Sequence, residues 1–404
     1  MKIFLTILLM IPLVYLGINV GYIFIFSLIA RFSRDQKKPY NGEKNRFVLQ
    51  YAAYKGDEVI LDSIRQSRNQ TYPNEYYQVQ VIADQLKPET LSALREMGAQ
   101  VVEVHFEKST KAKSLNAGLD ALSDDACDYV VIMDIDNVMD PHFLENLNAG
   151  LVDKPEVAQA HRIAKNMDTP MAILDALSEE INNSIFRKAH VAVGLSSALI
   201  GSGIAMRFGP YKALMKEIQA IGGFDKEMEV RLLKDRKKIA YIEYALVLDE
   251  KVQDAAIFEN QRKRWLSAQF HYLRLYFFDS LKAFLLHQNF DYFNKVLQFM
   301  LLPRVLLLAL SCLISAIAIV LVYIFHLPSL ELAFGIDLNF KSWISLPLLI
   351  LLSLYLATPS YLRTQKTVAA LGTLPKTAWL MFLTLFRLRG ANKSFIHTPH
   401  SNKK

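Results

Sequence analysis

Apolar positions along this chain follow two different patterns. Three runs carry no charged residue: Ile3–Ala30, Val305–Leu327 and Trp343–Leu362, of 28, 23 and 20 residues. Each is long enough to cross a bilayer core of about 30 Å as a helix. Between the first and second runs, apolar residues come in short stretches separated by turn formers and charges. Phe47–Tyr51, Gln78–Ala83, Val101–Val104 and Tyr129–Met133 read as strands. Helical spacing lies between them: Val59, Ile60 and Ile64 in a segment ending near Asn69, then Pro88–Met97 with Gly98 as its stop, then Lys111–Leu122. This β-α-β-α-β-α-β order predicts an α/β domain with a mostly parallel, Rossmann-like sheet and right-handed crossovers.

The chemistry starts where these strands stop. Tyr129–Met133 ends in two carboxylates one residue apart, Asp134 and Asp136, followed by Asn137. Asp84 ends another strand in the same way. Strand-end acids of a parallel sheet share one edge, the edge where open α/β sheets bind ligands. Hard divalent cations are held by one or two carboxylates plus substrate phosphates, so the pattern points to a metal-dependent site for a phosphate-bearing donor. The bland alternative is a solvated Asp/Asn turn. Lys111, at the start of a predicted helix, adds a cation suited to a donor phosphate or ribose.

Farther along, Gly201-Ser202-Gly203 and Gly222-Gly223 permit close approach of backbone to a ligand. Phe224–Leu233 places Asp225, Glu227 and Glu229 at a helix start, where the helix dipole favours carboxylates. A catalytic base would be the one that points back into the cleft. Gln261–Trp265 (QRKRW) offers arginines able to grip a diphosphate and an indole face for a sugar ring. The aromatic stretch after it, Phe270–Met300, suits a helix lying on the membrane surface.

A hydrophobic fraction of 52% is high for a soluble enzyme, and the three long runs account for it. The first run exceeds the roughly 7–15-residue core of a cleavable signal and is read as a retained anchor. Arg31, Arg34, Lys37, Lys38, Lys44 and Arg46 follow it, and Arg363, Lys366, Lys376, Arg387, Arg389, Lys393, Lys403 and Lys404 follow the third run. Only Glu331, Asp337 and Lys341 lie between the second and third. The positive-inside rule then puts the large domain and the C-terminus in the cytosol. The net charge of +7 is thus mostly juxtamembrane, which suits membrane lipid rather than nucleic acid. Cys127 and Cys312 lie on a core strand and in a membrane run, so they form neither a disulfide nor a zinc site.

Taken in order, these motifs resemble the membrane-bound family 2 glycosyltransferases, which include hyaluronan, chitin, cellulose and poly-N-acetylglucosamine synthases. The resemblance covers about residues 46–270. It rests on AAYKGDE with SIRQSRNQTYP, KAKSLNAGL, the DID at 134–136 and the QRKRW segment, with a looser match in the tail SFIHTPH. It implies a GT-A domain in which Asp84, Lys111, Asn116, Asp134, Gln261, Arg262 and Arg264 bind a UDP-sugar donor. Asp136, with Asp134, would hold Mg2+ or Mn2+. Gly201, Ser202, Gly203 and Trp265 would face the acceptor. The family's catalytic aspartate falls in a window reading Asp225-Lys226-Glu227, so the base is Glu227, in the register that keeps the following spacing, or Asp225.

The organisation expected is an N-terminal transmembrane helix over 1–30, a basic linker over 31–45 and a cytosolic GT-A domain over 46–270. Amphipathic interfacial helices over 271–303, two transmembrane helices over 304–362 and an interfacial helix with a basic tail over 363–404 complete it. The expected activity is inverting sugar transfer in the cell membrane that polymerises a β-linked polysaccharide. Single transfer to a lipid acceptor and a non-catalytic assembly subunit are the alternatives. Three spans are few for an export channel within one chain, which leaves room for a homo-oligomer or an export partner.

Overall fold

The computed structural model describes residues 2–34, 42–218, 220, 222–327, 329–331 and 337–387. The SFIHTPH tail and Lys37, Lys38, Arg389, Lys393, Lys403 and Lys404 lie outside them.

A long helix, α1 (Lys2–Phe32), precedes the α/β domain. The domain's strands are β1 (Phe47–Tyr54), β2 (Tyr77–Asp84), β3 (Gln100–Val104), β4 (Tyr129–Met133), β5 (Val138–Met139), β6 (Val157–Ala164), β7 (Ile204–Arg207) and β8 (Ile239–Asp249). They form one sheet in the order β3-β2-β1-β4-β7-β6-β8-β5. The first four are parallel and in the predicted places; β7 runs antiparallel to both β4 and β6, and β6 pairs parallel with β8. Helices α2 (Asp57–Ser67), α3 (Pro88–Glu96), α4 (Lys111–Asp120), α5 (Phe143–Gly150), α6 (Pro170–Asn182), α7 (Ala189–Ala192), α8 (Phe208–Glu217) and α9 (Phe224–Lys234) complete the domain.

Both faces of the sheet are covered, which is why β1 and β4 read as continuous apolar runs rather than alternating ones. Side chains of a strand point alternately to the two faces. Val48, Val130 and Ile132 join Leu115, Tyr211 and Met228 on one side, while Leu49, Tyr51, Val131 and Met133 join Ile60, Ile64 and Leu147 on the other. A buried polar rung sits within the sheet: Gln50 donates to Gln80 at 3.0 Å, and Gln80 donates to the Gly118 carbonyl at 3.0 Å. A Cβ at Gly118 would lie 2.5 Å from the Gln50 amide, so this position of KAKSLNAGL accepts only glycine.

The predicted boundary at residue 270 falls inside a helix. Helix α10 runs unbroken over Ala255–His287 and carries QRKRW in its first third. It is followed by α11 (Phe290–Gln298) and by α12 (Arg304–Ile319), which runs on into a π-helical turn over Val320–Ile324. Phe270, Leu275, Phe278, Leu285 and Leu286 are exposed along α10.

Among the described residues two helical stretches are long and apolar enough to cross a bilayer, Met10–Phe32 and Arg304–Ile324. The third predicted span is not one such helix. It divides into α13 (Lys341–Ile344), α14 (Leu346–Ala357) and a 3-10 turn at Ser360–Leu362. Pro359 disfavours the helical region for Thr358, which stands at ψ 125° and ends α14. The stretch predicted to be interfacial, α16 (Leu374–Phe386), follows α15 (Gln365–Leu371); the two are bent by 48° and are together apolar enough to form a broken span. Leu16, Val20 and Ile23 of α1 pack with Leu307 of α12, Ile350 and Ala357 of α14, and Ile181 and Ile185 of the domain. Helix α1 and the α/β domain therefore share one core.

Candidate active site

A cavity of about 520 Å³ opens at the carboxyl ends of β1, β4, β6 and β8. Its walls include Asp134, Asp136, Arg162, Asp175, Glu179, Gly201, Asp225, Asp249, Lys251, Gln261, Arg262, Arg264 and Trp265. Residues more than a hundred positions apart meet here because every one of these strands stops at the same edge.

Lys111, at the first turn of α4, donates to Asp134 and to the Gly201 carbonyl (2.7 Å). Burial alone would raise the Asp134 carboxyl, but Lys111, with Arg162 and the Ser202 hydroxyl in support, holds it below the usual carboxylate range. Asp136 is in the opposite position. Burial first, then Asp249, then Asp134 push it well above that range. Asn137 fixes the turn: its side chain accepts from the Asp134 amide at 3.0 Å and donates to Asp249 at 3.0 Å.

Asp249 belongs to an ion network that the sequence reading did not find. Arg162 pairs with Glu179 (2.6 Å) and Asp249 (3.5 Å), and Lys251 pairs with Glu179 and with Asp249 (2.8 Å). Burial favours the neutral Glu179, yet Arg162 and Lys251 hold it far below the usual range. One sequence signal pointed here: Asp249 ends an apolar strand, just as Asp84 and Asp134 do. Losing one partner of a buried ion pair strands the other charge and costs about 3–5 kcal/mol. Glu179→Gln should therefore lower Tm sharply, and thermal unfolding measures it. Because Glu179 is depressed in the fold, its contribution is complete above the unfolded carboxylate value of about 4.3 and is lost as pH falls through its folded value.

The arginines of QRKRW divide. Arg262 pairs with Asp175 and is stacked between Phe258 and Trp265, its guanidinium 4.6 and 4.3 Å from the ring centres. Arg262 still lines the cavity beside Trp265, its Nε is buried without a partner, and its flat face props that indole. Arg264 lines the cavity, where Asp134 and Asp225 act on it. The Gln261 carbonyl oxygen is buried without a partner, and Trp265 remains 36% exposed toward the cavity.

Helix α9 separates its acids. Asp225 lines the cavity, its carboxyl 3.9 Å from where a Cβ on Gly201 would stand. Glu227 is not part of the lining; it is buried and accepts from Arg231 one turn on, at 3.0 Å. Glu229 is buried against Lys295 of α11 at 2.6 Å. The expectation that Glu227 faces the cleft is therefore corrected, since at 3.6 residues per turn a two-residue step turns a side chain by about 200°.

Three further expectations need adjusting. Asn116 spends its amide on the Met215 carbonyl at 3.0 Å, joining α4 to α8 away from the cavity. Ser202 and Gly203 are buried beneath the wall, and of that triplet only Gly201 lines the cavity, at φ +84°. Asp84 is fully buried behind the Tyr54 and Ser109 rim. Its Oδ2 accepts from Ser109 at 2.5 Å, while its Oδ1 has no partner.

Among the described residues no group of three or more His, Cys, Asp or Glu side chains is arranged to hold a metal ion. The Asp134–Asp136 pair nevertheless fits a hard divalent cation that takes its remaining ligands from phosphate and water. With Lys111 on Asp134, Asp136 is the acid whose surroundings call for added positive charge.

The curled, mostly parallel sheet and its strand-end acids define a glycosyltransferase domain of GT-A-like build. The profile of the family described as glycosyltransferase like family 2 matches residues 46–268, more than half of the chain, and the chain belongs to that family. No curated protein sequence matches it. Solved structures similar to it include the mannosyltransferase PcManGT from Pyrobaculum calidifontis in complex with GDP-Man and Mn2+, at 13% identity and a TM-score of 0.47, covering 84% of this chain and 96% of that one.

Proposed function

We propose that the cleft transfers a sugar from a UDP-sugar to an acceptor hydroxyl with inversion at the anomeric carbon, and that repeated transfer builds a β-linked polysaccharide at the cytosolic face of the cell membrane. The observation that carries this reading is the convergence of Asp136, Asp225, Arg264 and Trp265 on one cavity. The acceptor oxygen attacks the anomeric carbon, the bond from that carbon to the diphosphate oxygen breaks, and Asp225 takes the acceptor's proton. Arg264 faces the leaving diphosphate, and Trp265, held flat by Arg262, stacks under the acceptor sugar. Asp134 and Asp136 would hold Mg2+ or Mn2+, which supplies neutralisation of the leaving diphosphate's charge. The unpartnered Asp84 oxygen behind the rim suits a donor N–H of the nucleotide base.

A cation bound at Asp136 can be read without turnover. Mn2+ should raise the Tm of the wild-type protein and leave that of Asp136→Asn nearly unmoved, since a ligand stabilises only the state that binds it. Equal shifts in both would place the cation elsewhere.

Single transfer to a lipid acceptor keeps a specific support: among the described residues two helices reach spanning length, or three if the bent α15–α16 pair counts as one. Incubating membranes with labelled UDP-sugars and sizing the product separates the readings. Long chains support polymerisation, a single-sugar lipid supports the second reading, and no labelled product sinks both.

A further inference from the structure

A second cavity, of about 560 Å³, lies on the other side of α6 and the π-helical turn after it (Asn183–Lys188). Glu179, Asn182 and Arg187 of this helical stretch face the active-site cavity, while Glu180, Asn183, Ser184 and Lys188 face the second one. Its far walls are the ends of two apolar helices: Ala30, Arg31, Ser33 and Arg34 at the end of α1, and Leu356–Arg363 at and just beyond the end of α14. His161 and Glu243, from β6 and β8, close it from the domain side. Nothing in the sugar-transfer mechanism uses this space.

Its charge is unbalanced. Both carboxylates in the lining have partners: Glu180 binds His161 at 3.0 Å, and Glu243 binds Lys188 at 3.0 Å. Arg363 holds no carboxylate. It donates to the Thr358 and Tyr355 carbonyls, closing the end of α14, and lies over the Tyr355 ring at 4.4 Å. Arg31 and Arg34 make no hydrogen bond or ion pair with any described residue, and both are exposed. Four cationic side chains thus meet two carboxylates, with hydroxyls of Ser33, Ser360 and Tyr361 around them. This is a lining for an anion with several oxygen acceptors.

The position decides which anion. Arg31 lies in the last turn of an apolar helix, and Arg363 lies six residues beyond the end of another. The same helices expose the apolar side chains Ile25, Phe32 (78%) and Tyr355. A ligand seated here has apolar surface on one side and guanidinium groups on the other. Basic recesses beside spanning helices on the cytosolic side suit anionic headgroups. We propose that this cavity is a binding site for one anionic phospholipid, its phosphate between Arg31, Arg34 and Arg363 and its acyl chains along α1 and α14. The bound lipid joins the anchor helices to β6 and β8.

The test uses the full chain, purified in detergent and reconstituted in phosphatidylcholine nanodiscs with increasing phosphatidylglycerol. Native mass spectrometry after release from the nanodiscs reads the lipid that stays bound. Wild-type protein should retain phosphatidylglycerol over phosphatidylcholine, and the double variant Arg31→Gln/Arg34→Gln should retain it roughly thirtyfold less, at about 1 kcal/mol for each cation near the surface. Arg65→Gln/Arg68→Gln, which removes the same charge outside the cavity, should retain it as wild type does. Arg31→Lys/Arg34→Lys should restore most of the loss, which excludes misfolding as its cause. Equal retention by wild type and the double Gln variant overturns the proposal. So does displacement of the bound lipid by inorganic phosphate at matched concentration, since the site would then belong to a free anion.

Discussion

Asp136→Asn should abolish most sugar transfer, by about 10²–10³-fold, the range seen when one group that stabilises charge in the transition state is removed. The same variant should be no less stable than wild type in the absence of divalent cations, and is expected to be more so. Burial, Asp249 and Asp134 all oppose ionisation of Asp136. A neutral isostere is free of that repulsion, its amide oxygen can still accept from the Asn137 Nδ2 as Asp136 does (3.3 Å), and the Asn137 bonds to Asp249 and to the Asp134 amide are untouched. Sites whose charge is strained in the resting fold commonly trade stability for activity in this way. Transfer rates and thermal unfolding measured on one preparation check both halves. An Asp136→Asn protein that loses activity and also unfolds well below wild type would show that this acid serves the fold instead.

The second large effect separates Asp225 from Glu227. Asp225→Asn should lower kcat by about 10²–10⁴-fold, the usual contribution of a positioned general base, while donor affinity stays near wild type. Glu227→Gln should leave kcat near wild type and cost below about 1 kcal/mol of stability, because its partner Arg231 is a partly exposed neighbour that also holds Glu217 at 3.0 Å. The reverse order of kcat losses would return the base to Glu227 and require α9 to turn by half a revolution. Measuring kcat alongside donor Kd matters here, since only a group acting in the transition state lowers the first without the second.

The parallel half of the sheet was legible because β1, β2, β3 and β4 are short apolar runs with turn formers between them, and runs buried on both faces need no subtler signal. Asp134 and Asp136 were legible because a strand that ends in acids has no structural need of them. Three things were not. The phase of α9 depends on where the helix begins, and Gly223 at φ +69° sets that start in a way that residue spacing alone does not. The ion pair of Arg262 joins it to Asp175, 87 positions away, a pairing that residue spacing does not show. The third apolar run passes a length test for a span, yet Pro359 ends its helix early. Asp249 was within reach: the strand-end acid that marked Asp84 and Asp134 also marks Asp249. The Arg162–Glu179–Lys251 network beside it joins charges that each look solvated on their own.

Transfer of sugar from a nucleotide donor in this cleft is proposed to run through Asp136 and Asp225. It is tested most directly by supplying the purified, membrane-reconstituted protein with a panel of UDP-sugars and Mn2+, and measuring nucleoside diphosphate release together with label in the product. Release should match incorporation for at least one donor in the wild type, and both should fall to near background in Asp136→Asn and in Asp225→Asn. Matched turnover that survives either substitution would contradict it.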